Sequence, residues 1–156
     1  MTGVQTCALP ISISDATGSQ EKFRGFPLGR RAIQMPDGEF KHPLLETFGK
    51  PARATVCECE RETDVTLYGC VSMVGGDFVQ AKLNDPRGRV AVLAASGRAD
   101  REVIEELFLA TLSRRPTVKE METVLAFPAK GNAPRHLRYE DVLSALPNQI
   151  EFLFQH

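Results

Sequence analysis

The chain has 156 residues, with 19 lysines and arginines against 20 aspartates and glutamates, 42% hydrophobic residues and 25% charged ones. That is one domain's worth of sequence with the composition of an ordinary folded protein. It excludes a disordered polyelectrolyte, a second full domain, a membrane-spanning bundle and a nucleic-acid surface built on excess positive charge.

Residues 1–11, Met-Thr-Gly-Val-Gln-Thr-Cys-Ala-Leu-Pro-Ile, form a short apolar run without the charged start of a signal peptide, broken at Gly3 and Pro10. The run resembles, residue for residue, the in-frame translation of a common sequencing adapter with GTG read as the start. Residues 1–11 are therefore expected to be an adapter-derived artefact, and the chain a fragment of a longer, metagenomic protein whose own sequence starts near Ser12. Setting Cys7 aside leaves Cys57, Cys59 and Cys70, an odd count that suits neither a disulfide scaffold nor a four-cysteine zinc site.

Residues 12–42 are rich in Ser, Gly, Pro and charge, with Ile13, Phe23, Phe26 and Leu28 scattered singly, and read as an extended or loop-rich arm. Its one candidate for regular structure is a short extended segment over residues 31–35, ended by Pro36-Asp37-Gly38. Leu44, Leu45 and Phe48 then recur at helical spacing before Gly49 and Pro51, and 54–59 is a brief extended link. Thr66 can cap a helix running to Gly75-Gly76, and Asp77 a second carrying Val79 and Leu83. A third holds Val90 and Leu93 and closes at Gly97. The clearest element follows: Val103, Ile104, Leu107, Phe108, Thr111 and Leu112 fall in adjacent pairs four apart, with Glu102, Glu105 and Glu106 opposite. Leu107 and Phe108 are the expected centre of the core.

Thr117 and Glu120 have the spacing of a capping box, which starts a helix with Met121, Val124, Leu125 and Phe127 apolar, stopped at Pro128. Residues 130–138 read as a polar loop. A last helix carries Val142, Leu143 and Leu146 to Pro147, where the missing N–H and the ring's clash force a bend, and 150–154 docks as an apolar tail. The expected fold class is mainly α: an irregular N-terminal arm with at most a short extended segment, then a compact bundle of five to six short helices. Three parts follow, with 1–11 as artefact, 12–42 as arm and 43–156 as helical C-terminal domain.

No nucleophile elbow, zinc-protease helix, phosphate loop, dinucleotide fingerprint or haem-attachment motif is present. His42 and His136 fall in predicted loops and His156 is the last residue; all three read as solvated side chains. Glu102, Glu105 and Glu106 read as the wet face of an amphipathic helix. Arg87, Arg89, Arg98 and Arg101 are candidates for an anion patch, with acids interleaved among them. Cys57 and Cys59 are the candidate metal ligands, because residues two apart in an extended segment point to one side. They serve equally as two small buried hydrophobes or a strained local disulfide, and these readings stay open. No catalytic or cofactor-binding residue is assigned.

The blocks Arg31-Ala32-Ile33-Gln34-Met35-Pro36-Asp37, Thr47-Phe48-Gly49-Lys50-Pro51, Val56-Cys57-Glu58-Cys59-Glu60-Arg61, Glu105-Glu106-Leu107-Phe108-Leu109-Ala110-Thr111-Leu112-Ser113-Arg114-Arg115-Pro116-Thr117 and Glu151-Phe152-Leu153-Phe154-Gln155-His156 resemble, in order and rough spacing, successive blocks of one family. It is the C-terminal domain of unknown function of large exported planctomycete cytochrome-c-like proteins. The resemblance implies a periplasmic or cell-surface parent with upstream domains that are the natural partners of this one. Haem would sit upstream, with no cofactor in this fragment. Two departures stand out, Tyr68-Gly69-Cys70-Val71-Ser72 in an expected helix and Pro147 in the last one. The expected function is a non-catalytic helical module without turnover of its own. The alternative is part of an enzyme, in redox or polysaccharide processing, whose site the missing domains complete. No substrate is indicated.

Overall fold

The computed structural model describes residues 4–31 (backbone only for 4–10), 34, 76–127, 134–149 and 151–152. Within them the fold is all helical, with no strand among the described residues. The helices are α1 (Val4–Thr17), α2 (Asp77–Leu83), α3 (Arg89–Ala95), α4 (Asp100–Leu112), α5 (Val118–Ala126) and α6 (Arg135–Ala145). A 3₁₀ turn, Leu146–Asn148, closes α6. The expected fold class is the one observed.

The centre is α4. Its paired apolar positions Val103, Ile104, Leu107, Phe108, Thr111 and Leu112 are all buried, as their spacing predicts. Leu107 is fully buried and Phe108 is 1% exposed, so each contributes about 1.5–3 kcal/mol of apolar transfer. Helices α1, α5 and α6 and the 3₁₀ turn all lean on α4, while α2 and α3 pack between α1 and α6. Val79, Leu83, Val90, Leu93, Met121, Tyr139, Leu143, Leu146 and Phe152 complete one continuous core. Pro147 acts as foreseen, turning the helix into a 3₁₀ turn, and Phe152 is the described residue through which the tail enters the core.

Three expectations are corrected. Asp77 is the first residue of α2 rather than its cap, and Gly76 stands at the cap position with no side-chain bond. Residues 12–17, assigned to the loop-rich arm, are the second half of α1. Their Ser, Asp and Thr side chains favour caps and turns over helix interiors, so no local signal marks them as helical. The stabilising groups are distant: Ile13 and Ala16 are fully buried, and Arg89 donates from Nε to the Ala16 carbonyl at 2.9 Å and from Nη2 to Asp15 at 3.0 Å. That cation satisfies orphan carbonyls at the negative end of the helix. Residues 18–31 are irregular as expected. Residues 135–138, assigned to a polar loop, are the first turn of α6. No side chain caps that helix, and its start is fixed by tertiary bonds to α4 described below. The helices expected near 43–49 and 66–75 lie outside the described residues.

Candidate functional site

The block from Leu109 to Thr117, which carries the family resemblance, builds the joint between α4 and α5. Ser113 ends α4 in the left-handed region (φ 55°, ψ 19°), its N–H bonded to the Leu109 carbonyl at 3.1 Å. Thr117 then caps α5 in the predicted box: the Glu120 N–H donates to Thr117 Oγ1 at 3.3 Å, and the Thr117 N–H donates to Glu120 Oε2 at 2.7 Å. Arg114, between the two helices, donates both terminal nitrogens to Glu120 (2.9 and 2.8 Å) and its Nε to Glu151 at 2.8 Å. Its guanidinium lies 5.8 Å from the centre of the Phe108 ring. One planar fork thereby fastens the end of α4, the start of α5 and the last described segment.

At the other end of α4, Asp100 holds α6. Its Oδ1 accepts from Tyr139 Oη at 2.7 Å and from Arg135 Nε at 2.8 Å, and its Oδ2 from Arg138 Nη1 at 2.9 Å. Arg135 also donates to the Arg98 carbonyl. Tyr139 is fully buried. A third cluster fixes the arm: buried Lys82 donates to the Ser19 carbonyl at 2.9 Å and pairs with Glu21 at 3.0 Å, while Ser19 donates to Asp85 at 2.7 Å.

The electrostatics hold these groups in fixed charge states. Hydrogen bonds from Arg114 and from the Thr117 backbone bring the Glu120 carboxyl down to about 2, and Arg114 itself is raised by the same pairing. Burial, with the bond to Asp100, pushes the Tyr139 phenol up to about 12, and that bond also lowers Asp100. General acid–base work at neutral pH needs groups poised near 7. Glu120 and Tyr139 are driven away from it in opposite directions, which is what fastening between helices requires.

The concave feature beside the Arg114 joint is a groove of about 740 Å³ between α5 and α6, floored by Phe108, Val124, Val142 and Leu146 and flanked by Phe127. Arg114, Glu120, Asp141 and Glu151 stand on its rim. Phe127, just past the end of α5, is 52% exposed, and Leu125 and Val118 on α5 are exposed as well.

The residues singled out in the sequence distribute as follows. Cys57, Cys59, His42 and His156 lie outside the described residues. His136 is exposed on the first turn of α6. Three of the four arginines are met by acids: Arg89 serves α1 and shares Glu106 with Arg98, Arg98 also pairs with Glu102, and Arg87 sits against Asp85, while Arg101 is exposed on α4. Glu105 pairs with Arg115 at 2.9 Å, so the acidic face of α4 is met by cations. No group of three or more His, Cys, Asp or Glu is placed to hold a metal ion among the described residues. Asp100, Tyr139 and Arg114 escaped sequence reasoning. An acid opening a helix and an arginine inside a motif were visible, but the partners of Asp100 on α6 stand 35 to 39 residues away and the Glu151 partner of Arg114 stands 37 away.

A small helical domain whose charged residues fasten helix to helix beside an open apolar groove is the class that fold and site define. Residues 9–128, more than half of the chain, match the model of the PSD1 family, described as Protein of unknown function (DUF1553), and the chain belongs to that family. Comparison with curated proteins and with solved structures returns no match.

Proposed function

We infer that this domain is a packing module: the non-catalytic C-terminal part of a large exported protein of the planctomycete cytochrome-c-linked type, working at the periplasmic face or cell surface. Haem belongs to the upstream part. The single observation that carries the reading is the groove between α5 and α6, where apolar side chains stand open beside charged groups already spent on internal bonds. A surface of that kind is completed by another protein surface. The family membership and the order of the resembling blocks support the parent's identity, and the residue-for-residue resemblance of 1–11 to a translated adapter supports their adapter origin. Reading the genomic sequence upstream of Ser12 checks both.

Co-expression of the chain with the upstream region of its parent, followed by purification through a tag on either one, tests the module reading. Co-elution of the two is the expected result. Separate elution, together with a turnover that appears only when both are mixed, would favour instead an enzyme site completed by the missing domains.

A further inference from the structure

The segment that follows α1 is a closed loop of unusual chemistry. The Gly29 N–H donates to the Glu21 carbonyl at 2.8 Å, joining the ends of a nine-residue segment, and the Phe26 N–H donates to the Phe23 carbonyl at 3.1 Å within it. Gly25 and Gly29 sit at φ 83° and 84°, a region that glycine enters without steric cost, and so allow the chain to reverse on either side of Phe26-Pro27-Leu28. The base is anchored: Phe23 is buried in the body, and Glu21 is bound by buried Lys82. The loop is therefore a built feature held against the core.

Its exposed part sorts into two zones. Leu28, 44% exposed, and Pro27 stand open near the tip, with half-buried Phe26 beside them. Lys22 and Arg24 precede that tip and Arg30 and Arg31 follow it, and Lys22 and Arg30 each adjoin one of the two residues that close the base, Glu21 and Gly29. Lys22 and Arg24 are exposed and have no ion-pair partner among the described residues. Arg30 lies over the Phe26 ring at 4.9 Å and donates only to the Gln34 carbonyl; Arg31 meets Asp15 at 3.3 Å, with both side chains more than half exposed. The loop's one acid, Glu21, is neutralised by Lys82. Among the described residues, a chain of net charge −1 thus concentrates positive charge not met by acids around one apolar tip.

We propose that this loop, residues 20–31, is a peripheral membrane anchor that docks on an anionic lipid bilayer, its cations at the headgroups and Leu28 with Phe26 entering the interface. Cations near an anionic surface and a shallow apolar insertion are the two forces that hold proteins on membranes without spanning them. An acidic polysaccharide would use the cations and leave Leu28 idle, and this distinguishes the two partners. No helix of the described residues is long and apolar enough to cross a membrane, so the association is at the surface. The inference is independent of the packing groove, which lies on other helices.

Flotation of the full chain with vesicles of pure phosphatidylcholine, and of phosphatidylcholine with one-third phosphatidylglycerol, tests it. Binding to the anionic vesicles alone is expected, and it should fall steeply between 0.05 and 0.5 M salt as screening shortens the reach of the cations, on the order of 3 Å at 1 M. Replacing Lys22 and Arg24 by Gln should weaken binding at least tenfold. Leu28→Ser should weaken it about threefold to tenfold with the charges intact. Each of these positions is exposed, and an unchanged circular dichroism spectrum and thermal midpoint confirm that the variants are folded. Equal binding to both vesicle types, no binding to either, or indifference to the charge variants would overturn the proposal. Retention on heparin together with an inert Leu28→Ser would overturn it in favour of a polyanion site.

Discussion

The two ends of α4 are fastened by the same kind of chemistry in different surroundings. At the N-terminal end a carboxylate, Asp100, gathers two arginines and a fully buried tyrosine from α6; at the C-terminal end an arginine, Arg114, gathers two carboxylates about half-exposed or less. Charge-assisted bonds are geometrically good in both. What differs is what remains when a partner is lost. Removing Asp100 strands the Tyr139 hydroxyl inside the protein, whereas removing Arg114 returns Glu120 and Glu151 to water. The cost of a joint is set by burial rather than by the number of its hydrogen bonds.

Substitutions at and between the two ends should differ in cost. Phe108→Ala, which empties the core beneath the Arg114 joint, is expected to cost about 3–5 kcal/mol in urea unfolding. A cost below about 1 kcal/mol would move α4 out of the centre. Asp100→Ala is expected to cost about 1–3 kcal/mol, lowering the thermal midpoint by roughly 2–4 °C per kcal/mol in a chain of this size. Arg114→Ala should cost less than about 1 kcal/mol, because its partners are solvated once freed. A loss from Arg114→Ala equal to that from Asp100→Ala would remove the distinction between the two ends.

Titration separates the joints further. The Tyr139 phenol, ordinarily at 10.0, is raised to about 12 in the fold, so the stability it contributes is complete below pH 10 and disappears as pH climbs through about 12. The Glu120 carboxyl is lowered from 4.5 to about 2, so its contribution is complete above 4.5 and disappears as pH falls through about 2. Tyr139→Phe should flatten the alkaline limb of the midpoint-against-pH curve, and Glu120→Gln the acid one. An alkaline limb unchanged by Tyr139→Phe would detach that residue from the effect. The smallest expectation is Arg98→Ala, at an exposed pair with Glu102 and Glu106, where the midpoint should not move measurably.

How much was legible follows from where the information sits. Helix α4 could be read because burial repeats at its own period, and the α5 capping box because both partners lie within one turn. The second half of α1 could not, since the groups that hold it, Arg89 and the face of α4, are more than 70 residues away in the case of Arg89. The first turn of α6 was hidden for the same reason: Pro134 and Arg135 carry no capping side chain, and Asp100 fixes that end from 35 residues upstream. Of the candidate site, the apolar residues of the groove were each predicted as helix-face positions. That α5 and α6 both lean on α4 with a groove between them is a property of tertiary packing and has no local signature.

The packing-module account rests on Phe127, the half-exposed aromatic at the edge of that groove. The decisive measurement is the thermal midpoint of Phe127→Asp, taken once in this chain alone and once in the complete parent protein. No change is expected in the isolated chain, where the side chain is already half in water, and a loss of several degrees in the proposed parent, where another domain would cover it. The same midpoint as wild type in both settings would contradict it.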